Sequence, residues 1–153
     1  VFVSLCSCQS SIFGGDFFDD ADSVNISSIK QGSASYEVEQ QNLAIRNVSE
    51  FKSFWKKLHG GQQPLPDRPT IDFDSEMVVV SVMGTQNSGG YYTVITRAGF
   101  QDGQMGIEIK HRKPGEGCIT TTSLTNPYHI VKVEKNSHPV EFIEETTITD
   151  CTD

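Results

Sequence analysis

No stretch of this sequence is apolar for the roughly 20 residues that a helix needs to cross a bilayer, so no helical membrane span is predicted. Basic residues are few: 12 Lys and Arg against 20 Asp and Glu give a formal charge of −8. Such a surface repels phosphate backbones, because nucleic-acid affinity comes from Lys and Arg releasing counterions. The clustered bases, Lys56-Lys57 and Lys110-His111-Arg112-Lys113, are short and read as solvated faces. No nucleic-acid partner is expected. Histidine is scarce too: His59, His111, His129 and His138 have neither an i, i+4 partner nor the cysteine spacing of a zinc site. No metal is predicted.

Motifs for catalysis are equally thin. Gly115-Glu116-Gly117 is neither a P-loop nor a dinucleotide-binding turn. Asp72 and Asp74 flank Phe73 on one face, but the glycine and ligand spacing of a calcium loop are missing. Cys118 with a histidine would make a nucleophilic pair, yet no third group can be nominated to orient it. The sequence therefore reads as non-catalytic and free of cofactors.

What is present is one domain's worth of chain. Its 153 residues can bury a core, although 36% hydrophobic content is modest and points to a stretch that does not fold. Residues 9–35, rich in Ser, Asp, Gly and Gln without sustained period, read as a flexible linker spanning roughly 30 Å. Phe13, Phe17 and Phe18 fit a linker poorly and are candidates to dock elsewhere. Residues 36–153 form the single β-rich domain.

The chain opens Val1-Phe2-Val3-Ser4-Leu5-Cys6-Ser7-Cys8 and then turns polar. Leu5-Cys6-Ser7-Cys8 resembles a bacterial lipobox, with Leu three residues before the modified cysteine and Ser just before it. Cys6 departs from the small residue usual at that place. The resemblance implies that residues 1–8 are a signal-peptide remnant, with cleavage before Cys8 and lipid on its sulfur. It further implies an exported lipoprotein of the bacterial cell envelope, touching the membrane through its lipid alone. Gln9, in place of the Asp that resembles an inner-membrane retention signal, favours the outer membrane, and the expected location is an outer-membrane or periplasm-facing lipoprotein. The alternative is a buried first strand with two incidental thiols. If Cys6 leaves and Cys8 is acylated, Cys118 and Cys151 remain, and a leftover pair in an exported protein is expected to form a disulfide.

Periodicity supplies the elements. Tyr36 to Arg46 alternates loosely, as a first strand or bent hairpin. Asn47 with Glu50 matches a capping box, and Phe51, Phe54, Trp55 and Leu58 follow at helical spacing, which predicts one amphipathic helix over 49–58 ended by Gly60-Gly61. Three prolines mark 62–70 as a loop. Met77-Val78-Val79-Val80-Ser81-Val82-Met83 reads as a strand covered on both faces. Further strands are predicted at 91–95, 105–109 and 128–133, and 140–143 with 146–149 makes a last one. About six to seven strands with one packed helix predict a mainly β fold, a β-sandwich or open barrel.

The loops carry the functional reading. Asn87, Ser88, Gly89, Gly90 and Tyr91 join two strands, and Asn126, Pro127 and Tyr128 lead into another; both groups are candidate protein-binding residues. The run from 72 to 135 resembles the PrcB C-terminal domain, named for a protease-complex-associated bacterial lipoprotein. The matching pieces are Asp72-Phe73-Asp74-Ser75-Glu76-Met77, the Ser88-Gly89-Gly90-Tyr91 turn, Pro114-Gly115-Glu116-Gly117-Cys118 and Asn126-Pro127-Tyr128-His129-Ile130. That resemblance implies an accessory domain that binds or stabilises a protein partner, a protease complex among the candidates, without hydrolysis. The Asn87 to Tyr91 turn is also faintly similar to the Asn-Pro-Thr-Thr-Gly-Tyr loop of chagasin-type cysteine-protease inhibitors. Here the loop lacks the proline, no Arg-Pro-Trp counterpart exists, and Asn126-Pro127-Tyr128 is a loose stand-in. A purely structural envelope protein is the third reading.

Overall fold

The apolar run at 77–83 becomes the centre of the molecule. In the computed structural model, which describes residues 16–34, 37–60 and 62–151, this run forms β4 (Glu76–Val82). Alternation sends Val78, Val80 and Val82 to one face and Met77 and Val79 to the other, and both faces are buried. One face meets the helix and the other meets a second sheet, so the expected double cover is what the structure contains.

Among the described residues, eight strands make two four-stranded sheets packed as a sandwich. The first sheet runs β1 (Asp22–Val24), β5 (Tyr92–Gln101), β6 (Gln104–Pro114), β8 (Val140–Thr149). The second runs β2 (Ser27–Ser33), β7 (Pro127–Glu134), β4, β3 (Gln41–Ile45). All pairings are antiparallel except β6 with β8, which is parallel and reached by a crossover through β7. A tight Asp102-Gly103 turn closes the β5–β6 hairpin, in register from Gln101 opposite Gln104.

Helix α1 (Val48–Leu58) starts where the capping signal places it: the Asn47 side chain accepts the Glu50 backbone N–H at 2.9 Å. Its Phe51, Phe54, Trp55 and Leu58 stripe is buried against Val78, Val80 and Ile130. The Trp55 indole N–H donates to the Pro66 carbonyl at 2.8 Å, which seats the proline-rich loop on the helix.

The linker expectation for 9–35 needs correction where the chain is described. Phe17–Asp19 form a 3-10 turn, and β1 and β2 are strands of the two sheets. Both are edge strands exposed on much of their surface, so their sequences are polar and hardly alternate; their partners β5 and β7 supply the order. The docking of two of the phenylalanines is explicit. Phe17 lies over Gly106, in space a side chain there would fill, and the Arg97 guanidinium sits 4.2 Å from the centre of the Phe18 ring. Phe13, Cys6 and Cys8 lie outside the described residues. So does Tyr36; residues 37–40 are not a strand, although Val38 is buried in the core.

Candidate functional site

Both predicted loops lie at one end of the sandwich, because β4 ends, β5 begins, β6 ends and β7 begins there. The loop at 83–91 lies against the loop at 115–126. Gln86 and Thr125 exchange backbone hydrogen bonds at 2.7 and 3.0 Å, Gly89 N–H donates to Thr121 O, and the Thr125 hydroxyl donates to Ser88 O at 2.7 Å. The glycines permit this approach. A Cβ on Gly89 would stand 2.6 Å from the Thr121 hydroxyl, and Gly90 holds φ +90°, crowded by Pro114 and Thr120. Their role is structural closeness of backbone.

The disulfide Cys118–Cys151 is formed, with Cα atoms 4.9 Å apart, and ties the second loop to the chain just after β8. Gly115 N–H donating to Thr149 O and Cys118 N–H donating to Gly115 O reinforce the same join. A disulfide sulfur is not a nucleophilic thiolate, so the Cys118–histidine reading ends here.

The eight candidate binding residues divide. Asn87 and Gly90 are exposed, and Ser88, Gly89 and Tyr91 are half-buried. Asn126, Pro127 and Tyr128 are buried, and for these the binding-face expectation is corrected. Asn126, 2% exposed, donates its side-chain amide to Val38 O at 2.8 Å, while its backbone carbonyl accepts from Ala34 N–H and its N–H donates to the Ser33 hydroxyl. It holds the end of β2 and the approach to β3 together. Tyr128, 3% exposed, sits in the helix-side core, where burial pushes its phenol up. Pro127 and Tyr128 instead form the base of a cleft of about 370 Å³, walled by Gly90, Tyr91 and Tyr92 with β2 residues Gln31 and Ser33. The β2 contribution could not be read from a segment without period.

Exposed apolar residues missed by the sequence reading surround this end. Ile119 is 103% exposed, Leu124 64% and Tyr92 56%; Ile148 of β8 lies next to the Gly115 backbone. A signal existed for Tyr92: Thr93 and Ile95 point inward, so period-2 alternation turns Tyr92 outward. For Ile119 none existed, since a loop has no period.

Between the sheets lies a polar seam. The Ser81 and Thr93 hydroxyls meet at 2.8 Å, and His129 reaches from β7 towards β5. Ile95 N–H, released from the ladder beside the bulge at Thr96, donates to His129 Nδ1 at 2.9 Å. Nδ1 therefore bears no proton, the ring hydrogen is on Nε2, and Nε2 donates to Ser28 Oγ at 2.9 Å. A Ser–His pair of this polarity cannot deprotonate its serine. The ring is a structural tie.

His59, the C-cap of α1, is buried against the Trp55 ring at 4.4 Å, with Lys30 5.1 Å over the same indole. Burial first, then Lys30, lowers the His59 pKa, and burial lowers that of His129. Histidines with depressed native pKa values stay neutral while the unfolded chain takes up protons below the ordinary value of 6.5. Stability is then full above that pH and falls as pH drops from it towards the native values, by up to roughly 1.4 kcal/mol per pH unit for each ring. Urea unfolding at pH 7.5 and pH 5 measures this, and His59→Phe should make the fall shallower by removing one of the two rings. A flat profile would contradict the burial argument.

Asp72, considered for calcium, instead closes a turn, accepting Asp74 N–H at 3.1 Å and the Ser75 hydroxyl at 3.0 Å. Among the described residues no cluster of three or more acidic, His or Cys side chains is arranged to hold a metal.

No curated protein and no solved structure matches the chain. No likeness to chagasin-type inhibitors is shown, and the stand-in for their second loop, Asn126-Pro127-Tyr128, is buried. Residues 77–134 match the family model described as PrcB C-terminal, which is not a known enzyme family. From β4 through β7, the two loops and the seam between them included, this chain is therefore similar to the PrcB C-terminal family.

Proposed function

We propose that the protein is a non-catalytic, lipid-anchored domain of the bacterial cell envelope that docks on another protein, a component of a protease complex, through the loop end of its sandwich. The observation that carries this is the set of apolar side chains held in solvent there, Ile119 and Leu124 above all. Exposed apolar residues scattered singly need no explanation, but here they share one end with Tyr92. Their loop is also fastened at both sides, by the disulfide and by the pairing of Gln86 with Thr125. Pre-ordered apolar contacts lose little entropy on binding, and this favours recognition. The PrcB C-terminal match supports a protease-complex-associated role.

The test uses cross-linking in native envelopes of cells expressing the full protein. Ile119→Asp with Leu124→Asp is expected to abolish recovery of a protease component, and Tyr91→Ala to weaken it. Melting should stay within about 0.5 kcal/mol of the parent for the exposed pair, as for other surface substitutions. Recovery unchanged by the double substitution, or no specific partner with the parent, would leave the structural envelope reading. Anchoring is tested separately: Cys8→Ala should abolish incorporation of labelled palmitate and release the protein from membranes. Persisting label would remove the lipobox assignment.

A further inference from the structure

The sandwich has four edge strands, and three of them carry charge: Asp22 in β1, Lys30 in β2, and Glu141, Glu144 and Glu145 in β8. Charges on an edge discourage the addition of another strand. β3 differs. Gln41-Asn42-Leu43-Ala44-Ile45 has no charge, no proline and no bulge, and it is paired with β4 on one side while no strand covers its other side among the described residues. Among the described residues no backbone group outside the β4 ladder bonds to the N–H and C=O groups of β3.

Beside this edge a groove of about 360 Å³ runs between β3 and α1. Leu43, Ile45 and Phe54 give it an apolar floor, and Ser53, Glu50 and Lys57 rim it. Leu43 and Ile45 are alternate residues on the helix side of β3. A strand laid along β3 would therefore send its own alternate side chains into the groove. The charges are placed at opposite ends. Glu50 is in the first turn of α1, which begins just after Ile45, and Lys57 is about two turns further on, along roughly 10 Å of helix axis. Five residues of strand cover roughly 17 Å, so one short strand reaches both.

We infer that β3 and α1 form a docking site for an extended peptide segment of a partner protein, added antiparallel to β3 as a fifth strand. Its apolar side chains at alternate positions fill the groove, a basic residue at its amino end faces Glu50, and an acidic residue or carboxylate at its carboxyl end faces Lys57. Backbone hydrogen bonds would supply affinity, and the groove and its two charges would supply selectivity. The inference stands on a different face from the loop end and does not depend on it.

The probe is a short synthetic peptide of alternating valine and threonine, with arginine at the amino end and glutamate at the carboxyl end. Titrated into the full protein, it should shift backbone amide resonances of β3 and α1 and saturate. Methylation of alternate peptide amides should weaken binding at least tenfold, and so should Ser53→Trp, which fills the groove from an exposed helix position. Lys57→Glu should weaken it severalfold and be rescued by a peptide ending in lysine. Ile119→Asp should leave it unchanged, which separates this site from the loop end. Absence of binding, or binding indifferent to peptide methylation and to both groove variants, would overturn the site. A concentration-dependent dimer dissolved by Ser53→Trp would also overturn it, by placing a second copy on the edge.

Discussion

Phe51→Ala is expected to lower the unfolding free energy by about 3–5 kcal/mol, a large part of the 5–15 kcal/mol typical of a domain. Phe51 is fully enclosed, with the Trp55 ring centre at 6.1 Å and that of Phe73 at 6.0 Å, both edge-on. It belongs to the cluster through which α1 covers Val78 and Val80, so alanine removes a large apolar surface and leaves a cavity that rigid strands cannot close. The loop carrying Pro66 is seated on the neighbouring Trp55 and should loosen with it. Denaturant unfolding followed by Trp55 fluorescence is a clean measurement, since the chain has one tryptophan. Val48→Ala, on the same helix but exposed, should change little. A loss below about 1 kcal/mol for Phe51→Ala would mean that the helix is not clamped by this contact.

Replacing Cys118 and Cys151 together by serine is expected to cost about 3–4 kcal/mol in the chain-entropy model, given their separation of 33 residues. The bridge restricts the unfolded chain and holds the end of β8 against the loop that carries Ile119. Hydrogen exchange should therefore rise most at 115–121 and 146–150. The hydrogen bond from Gly115 N–H to Thr149 O remains in the variant, so the fold should survive with a loosened end. Reduced parent and double variant should unfold alike. Alkylation of Cys118 in unreduced protein would show that the thiols are free and would defeat the prediction.

These two features were legible in the sequence for different reasons. The helix declared itself locally, by Asn47 and Glu50 at its start and the 3.6-residue spacing of Phe51, Phe54, Trp55 and Leu58. The disulfide followed from cysteine arithmetic combined with the lipobox resemblance. β4 was legible because a strand buried on both faces is apolar along most of its length, here from Met77 to Val80 and again at Val82. β1 and β2 were not. Ser27 to Ser33 has Ile29 as its sole large apolar residue, and even that lies where the register with β7 shifts. Strand count was accordingly expected at about six to seven, where the described residues hold eight.

The candidate site was half legible. Glycine at 89 and 90 marked a close backbone approach, and the structure shows what approaches, the 115–126 loop. The Asn126-Pro127-Tyr128 segment looked like a surface turn because Asn and Pro favour turns. It is buried because Val38, Ser33 and Ala34, all far away in sequence, satisfy its polar groups. His129 likewise gave no local sign that it would join the sheets through Ile95 and Ser28.

By itself, then, the sequence determined a mainly β chain with one capped helix, a strand enclosed on both faces, a pair of cysteines to join and an acidic surface. Each of these is written in short-range spacing or in composition. Tertiary structure alone decided that polar segments before residue 36 become strands, that the second loop turns inward while Ile119 and Leu124 stay out, and that β3 keeps an open, uncharged edge. Those outcomes depend on partners brought together across tens of residues. A residue's own neighbours show which way its side chain alternates, but not which distant backbone will satisfy its hydrogen bonds.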